Sequence, residues 1–146
     1  MSVTFCGHGS EIYDNNIRNI LMQEIEKAVN SGENEFLFGG YGNFDMLAAH
    51  VVKDIKNSYP QIRLILVIPY LSMSFDADIY DESVYPPLEK VPRKLAIIKR
   101  NEWMIDKSNT VIAFVKHNWG GAAMTMEYAV KKKKNVINII KNLKNP

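Results

Sequence analysis

The chain of 146 residues is long enough for one compact domain with a sizeable core, and its 47% hydrophobic and 23% charged content is that of a soluble globular protein. A formal net charge of +2 is too small to argue for nucleic acid or a membrane surface as the main partner, and the single cysteine, Cys6, excludes an internal disulfide framework. No basic segment followed by a long apolar run opens the sequence, and no apolar run approaches the ~18 residues of a bilayer span. The expectation is a cytoplasmic protein, one domain over residues 1–146, with no membrane partner.

In chain order, Val3 to Cys6 reads as a short strand that ends at Gly7-His8-Gly9. Ile17, Ile20, Leu21, Ile25, Ala28 and Val29 mark one face of a helix that Ser31-Gly32 stops. A second strand, Glu35 to Phe38, runs into Gly39-Gly40-Tyr41-Gly42-Asn43-Phe44-Asp45. The helix behind that loop buries Phe44, Leu47, Ala48, Val51 and Ile55 and closes near Tyr59-Pro60. Ile62 to Ile68 is the clearest strand, cut off by Pro69. The stretch from 69 to 92 has no clean period, and its prolines and aromatics (Tyr70, Phe75, Tyr80, Tyr85) argue for an ordered flap. Lys94 to Lys107 predicts a helix burying Leu95, Ile98 and Met104 or Ile105. The strand Thr110 to Val115 follows, then Trp119-Gly120-Gly121, a helix over Ala122 to Lys134 and a last strand from Asn135 to Ile140.

Strands alternating with helices predict an α/β fold: a Rossmann-like, doubly wound, mainly parallel sheet of about five strands in the order 3-2-1-4-5. Ligands in such sheets bind beyond the carboxyl ends of the strands, where the order reverses. Three glycine-bearing turns converge there, after the first, second and fourth strands.

The Gly39-Gly40-x-Gly42 loop offers amides to a phosphate, with Asp45 placed for a ribose hydroxyl; a plain strand-to-helix turn accounts for the same residues. Gly120-Gly121 offers a second such turn, with Thr125 and Glu127 in the helix behind it. Arg100, beside Asn101, is either a cation that clamps phosphate or orients Glu127, or part of a solvated face, or the partner of a salt bridge with Glu102 or Glu89. Gly7-His8 and His117 follow two of the turns, where an imidazole serves as donor, acid or base, or is incidental. Cys6 with His8 could be a nucleophile pair, although a strand cysteine is more simply a buried hydrophobe. Trp119 could stack on a base or cap the sheet end. No zinc pattern is present, and no metal or cofactor is expected.

Phe5-Cys6-Gly7-His8, the Gly-Gly-x-Gly-x-x-Asp loop at 39–45, Lys99-Arg100-Asn101 with Met104-Ile105-Asp106, and the Gly-Gly…Thr-x-Glu turn together resemble the SLOG superfamily, most closely its small YpsA-like proteins of bacteria and phages. The resemblance implies a Rossmann-like fold and a nucleotide or nucleotide-derived ligand, and the residues expected to hold it are Gly7, His8, Gly39, Gly40, Gly42, Asp45, Arg100, Asn101, Trp119, Gly120, Gly121 and Thr125. The superfamily includes lonely-guy-type phosphoribohydrolases, with an Arg-Lys-x-x-Met segment and a Pro-Gly-Gly-x-Gly-Thr-x-x-Glu turn. By that likeness Arg100 and Glu127 inherit candidate catalytic roles in N-glycosidic cleavage. Here Asn101 stands in place of the lysine, and Ala123-Met124 stand where glycine would precede threonine. Nucleoside deoxyribosyltransferases also look similar. A DNA-processing protein in the superfamily adds single-strand binding, through Lys131 to Lys134, Lys141 and Lys144, as a further expectation. Dimers are plausible, because related folds often place sites near subunit interfaces.

Overall fold

The computed structural model describes residues 2–74 and 76–143. Six strands form one sheet: β1 Ser2–Gly7, β2 Glu35–Phe38, β3 Arg63–Val67, β4 Glu82–Val84, β5 Ser108–Phe114 and β6 Asn135–Asn138. Their order is β4-β3-β2-β1-β5-β6, and every pairing is parallel. The five expected strands keep the expected order, and β4 adds one strand at the edge. It was hidden because the described residues of the β3–β4 crossover form no helix, the usual marker of a parallel return. The 69–92 segment instead folds on the sheet edge. Ile68 donates its N–H to the Val84 carbonyl at 2.9 Å, and Leu64 N–H reaches Asp81 Oδ2 at 2.7 Å.

Alternation along β1 sends Val3 and Phe5 to one face of the sheet and Thr4 and Cys6 to the other. On the first face, α1 (Asn15–Asn30) and α2 (Asn43–Lys56) bury Leu21, Ile25, Phe44, Ala48, Val51 and Val52 against Phe36, Phe38, Leu64 and Phe114. On the second, α3 (Ala96–Lys107) and α4 (Gly121–Lys131) cover β1, β5 and β6. A 3-10 turn, Arg93–Leu95, precedes α3, and a one-turn helix, α5 (Ile140–Leu143), follows β6 where the sequence suggested more strand.

The expected inner face of α3 needs correction. Ala96, Arg100, Met104 and Ile105 are buried, whereas Leu95 and Ile98 are each 38% exposed. Positions 96, 100 and 104 lie four apart and form a true buried stripe. Its middle member is a cation, so hydrophobicity alone shifted the face by about half a turn.

The mouth of the sheet depends on a close approach at Gly7. A Cβ there would lie 2.3 Å from Phe44 Cγ, so the first strand can pass the start of α2 only without a side chain. Gly42 makes the complementary contact: at φ +93° its backbone rests against Gly9, and Asn43 donates its N–H to the Gly9 carbonyl at 2.9 Å. Gly7→Ala is expected to destabilise the fold by about 1–3 kcal/mol, the usual cost of overpacking, as read from urea unfolding midpoints. An unchanged midpoint would show that Phe44 can step aside.

Candidate functional site

Beyond the carboxyl ends of β1, β2 and β5 lies an inner cleft of about 130 Å³. Gly7, Gly39, Asp45, Arg100, Asn101, Gly121 and Thr125 line it, so all three glycine-bearing turns and α3 contribute. Thr4, Tyr41 and Ile97 also line it and were not foreseen. Thr4 could have been found, because β1 alternation puts it on the same face as Cys6. Tyr41 and Ile97 gave no signal beyond their neighbours. Outside the cleft runs a wider groove of about 530 Å³ between α3 and α4, bordered by Trp119, Gly120, Met124 and Glu127.

Arg100 is the centre of the inner cleft. The residue is 5% exposed, and its guanidinium donates from Nη1 to the Gly39 carbonyl at 3.0 Å and to the Val67 carbonyl at 2.8 Å. Nε donates to Asn101 Oδ1 at 2.9 Å. Among the described residues Nη2 has no hydrogen-bond acceptor. Neither Glu102 nor Glu89 pairs with this arginine: Glu102 takes Lys99 instead. Burial pulls the Arg100 pKa down from its ordinary value, opposed by the charge of Asp45, and the group remains a cation at neutral pH.

Asp45 is engaged within its own loop. Its Oδ2 accepts from Gly40 N–H at 2.7 Å and its Oδ1 from Gly39 N–H at 3.3 Å. Two amides that would otherwise face a phosphate are therefore occupied by the carboxylate that begins α2. Gly42 lies in the turn behind them and lines neither cavity. Desolvation dominates the Asp45 carboxyl and pushes its pKa up to about 6, against the lowering effects of the Gly40 and Gly39 bonds and the Arg100 charge.

The turn before α4 is different. Gly120, at φ +92°, precedes the helix with no side-chain cap, so the first amides of α4 have no acceptor of that kind. Thr125 donates its hydroxyl to the Gly121 carbonyl at 3.0 Å, which leaves its oxygen lone pairs available. Glu127 is exposed and lines the outer groove, whereas Arg100 lines the inner cleft.

His8 lines neither cavity. Its Nε2 accepts the Lys116 N–H at 2.9 Å, and burial first, then His117, hold its pKa below the ordinary value. The ring stacks on His117, which stacks on Trp119. Cys6 is buried in the inner wall, and desolvation pushes its thiol up to about 12, so it stays protonated and the nucleophile pair with His8 falls away. In the lysine run, Lys132 lies 3.9 Å from Asp106 and Lys134 donates to the Asp106 carbonyl at 3.3 Å. Lys144 of that expected strand-binding set lies outside the described residues. No cluster of potential metal ligands occurs among the described residues, and no helix among them is long and apolar enough to cross a membrane.

A parallel sheet with its cleft at the topological switch, floored by a buried arginine, defines a Rossmann-like ligand-binding fold. Comparison with solved structures agrees at the level of the fold. The structural genomics target TM1055 superposes with a TM-score of 0.62 at 14% identity, over 92% of this chain and 71% of that one. The molybdenum cofactor carrier protein of Chlamydomonas reinhardtii gives 0.58 at 18%, over 92% and 73%. DNA processing protein A of Helicobacter pylori, described for its single-stranded DNA binding, gives 0.62 at 17%, over 93% and 63%. No curated protein matches the sequence significantly. The model of the YspA SLOG family matches residues 10–83, just over half of the chain, and the chain belongs to that family.

Asp45 provides a pH test of the inner cleft. Its proton is held more tightly in the folded state, at about 6, than at the usual 3.8, so the stability it contributes is full below about pH 4 and is lost as pH rises through 6. Asp45→Asn removes this titration. Its stability relative to wild type is expected to rise between pH 4 and 6.5 by on the order of 2 kcal/mol and to level off above, on top of a constant offset for the lost second acceptor. A pH-independent difference between the two proteins in chemical unfolding would show that the carboxyl is not desolvated.

Proposed function

We propose that the chain is a binding module for a phosphorylated small molecule, a nucleotide or a nucleotide-derived ligand. The observation that carries this reading is the free Nη2 of Arg100, a buried cation with donors left over at the wall of a cleft. The uncapped N-terminus of α4 lines the same cleft, so two positive features converge on one small volume. About 130 Å³ is roughly the volume of four water molecules, enough for a phosphate and part of a sugar but below the ~300–1,000 Å³ of a whole small-molecule site. The rest of the ligand extends into the outer groove.

The anion in this reading rests on the α4 turn and Arg100, and the Gly39–Gly40 loop serves as the wall that Asp45 braces. Structural neighbours with unlike ligands, a molybdenum cofactor carrier and a single-strand DNA binder, support ligand binding as the use of the fold. Binding is favoured over N-glycosidic hydrolysis because the Glu127 carboxylate is exposed and lines the outer groove but not the inner cleft, so it is neither desolvated nor held in place by Arg100.

Calorimetric titration against AMP, GMP, CMP, UMP and ribose 5-phosphate tests the reading. At least one of these is expected to bind, and Arg100→Lys, which keeps a cation near the carbonyls but loses the second guanidinium nitrogen, is expected to weaken it by about tenfold. No heat and no thermal shift with any of the five would remove the proposal. Glu127→Gln separates binder from enzyme: free base released from AMP should stay at the same trace level in both proteins. A release that wild type shows and the variant loses would establish catalysis instead.

A further inference from the structure

We propose that the outer groove between α3 and α4 seats a planar heteroaromatic ring of the same ligand whose phosphate enters the inner cleft, with Trp119 as its stacking platform and His117 as the residue that positions the platform. This rests on the binding reading above and names the part of the ligand that the inner cleft is too small to hold.

The two compartments are continuous. Ile97, Asn101, Gly121 and Thr125 line both, so one molecule anchored at Arg100 reaches the groove without leaving the surface. The groove, at about 530 Å³, is in the ordinary range for a small-molecule site, and its walls mix exposed apolar side chains, Ile97, Ile98 and Met124, with polar ones such as Glu102, Glu127 and Lys131.

Trp119 is 68% exposed, and such a side chain would normally be free to sample several rotamers. Here one face is covered. The indole lies on the His117 ring at a centroid distance of 3.8 Å and an interplanar angle of 5°, and His117 Nδ1 lies 3.1 Å from the Trp119 carbonyl oxygen. His117 in turn lies on His8 at 4.4 Å, and His8 is fixed by the Lys116 N–H. Three rings thus form a ladder rooted at the end of β1. Its last rung, Trp119, lines the groove, and among the described residues His117 is its one stacked ring partner. A π-surface held in place before the ligand arrives loses little freedom on binding, and stacking on it accepts any flat ring with modest selectivity among bases.

The test compares AMP, GMP, CMP and UMP with ribose 5-phosphate, which has no ring, by calorimetry and tryptophan emission. The tightest nucleotide is expected to bind about tenfold or more tightly than ribose 5-phosphate and to quench emission. Trp119→Ala should abolish both that gap and the quenching while leaving ribose 5-phosphate affinity within about twofold, with the fold checked by circular dichroism. His117→Ala should narrow the gap, and His117→Phe, which keeps a flat ring under the indole, should restore it. A nucleotide affinity equal to that of ribose 5-phosphate, or a gap that survives Trp119→Ala, would overturn the platform while leaving the phosphate site standing. Silence from ribose 5-phosphate and every nucleotide would overturn both. A single-stranded oligonucleotide that binds more tightly than all mononucleotides, with steep salt dependence, would assign the platform to a strand and overturn the small-ligand reading.

Discussion

The buried guanidinium of Arg100 is the interaction on which the mouth of this sheet depends. One nitrogen bridges the carbonyls of Gly39 and Val67, which belong to the ends of β2 and β3, while the side chain hangs from α3 on the far side of the sheet. Carbonyls at the ends of parallel strands have no next strand residue to satisfy them, and leaving two of them unpaired under a helix would cost more than a typical hydrogen bond contributes. Burying an arginine is itself unfavourable. The arrangement holds because Nη1 meets two acceptors, Nε meets Asn101, and Asp45 supplies a nearby negative charge. Gly39 is part of the same device. A Cβ there would come 3.1 Å from Arg100 Cζ, so a glycine lets the guanidinium plane lie against the backbone.

This places the charges of the cleft in a definite order. Asp45 faces inward at the Gly39–Gly40 amides, Arg100 lies beside it, and the α4 N-terminus stands opposite with its amides uncapped. An anion entering the cleft is attracted by the last two and repelled by the first. A carboxyl already desolvated toward neutrality reduces that repulsion, because it takes up a proton more readily than an exposed aspartate does. One low-dielectric site therefore raises the Asp45 pKa and lowers that of Arg100, and each shift is opposed by the charge of the other group.

The sheet order was legible in the sequence because its longer strands are short β-branched or aromatic runs that alternate with helices of clear period. That logic failed where the signals stopped being local. β4 is three residues long and returns without a helix, so neither length nor periodicity marks Glu82 to Val84. The inner face of α3 was misread because its centre is Arg100, and no hydropathy pattern predicts that a guanidinium will be buried for the sake of two carbonyls sixty-one and thirty-three residues away. The glycines were visible as turns, but their reasons differ. Gly7 is required by Phe44 and Gly42 by Gly9, both packing constraints across the sheet mouth, whereas nothing lies near Gly120 or Gly121.

That last difference bears on which turn serves the ligand. A glycine crowded by protein atoms is explained by the fold alone. Gly7, Gly39, Gly40 and Gly42 each have a neighbour that would meet a Cβ, and the amides of Gly39 and Gly40 are spent on Asp45. Gly121 has open space where its side chain would be, at the head of a helix whose first amides lack a side-chain cap, and it lines both compartments. Packing gives no reason for a residue without a side chain at that point. The fold therefore explains the loop that looked most like a phosphate motif and, through its φ of +92°, Gly120 as well; it leaves Gly121 as the glycine of the mouth that neither packing nor a positive φ requires.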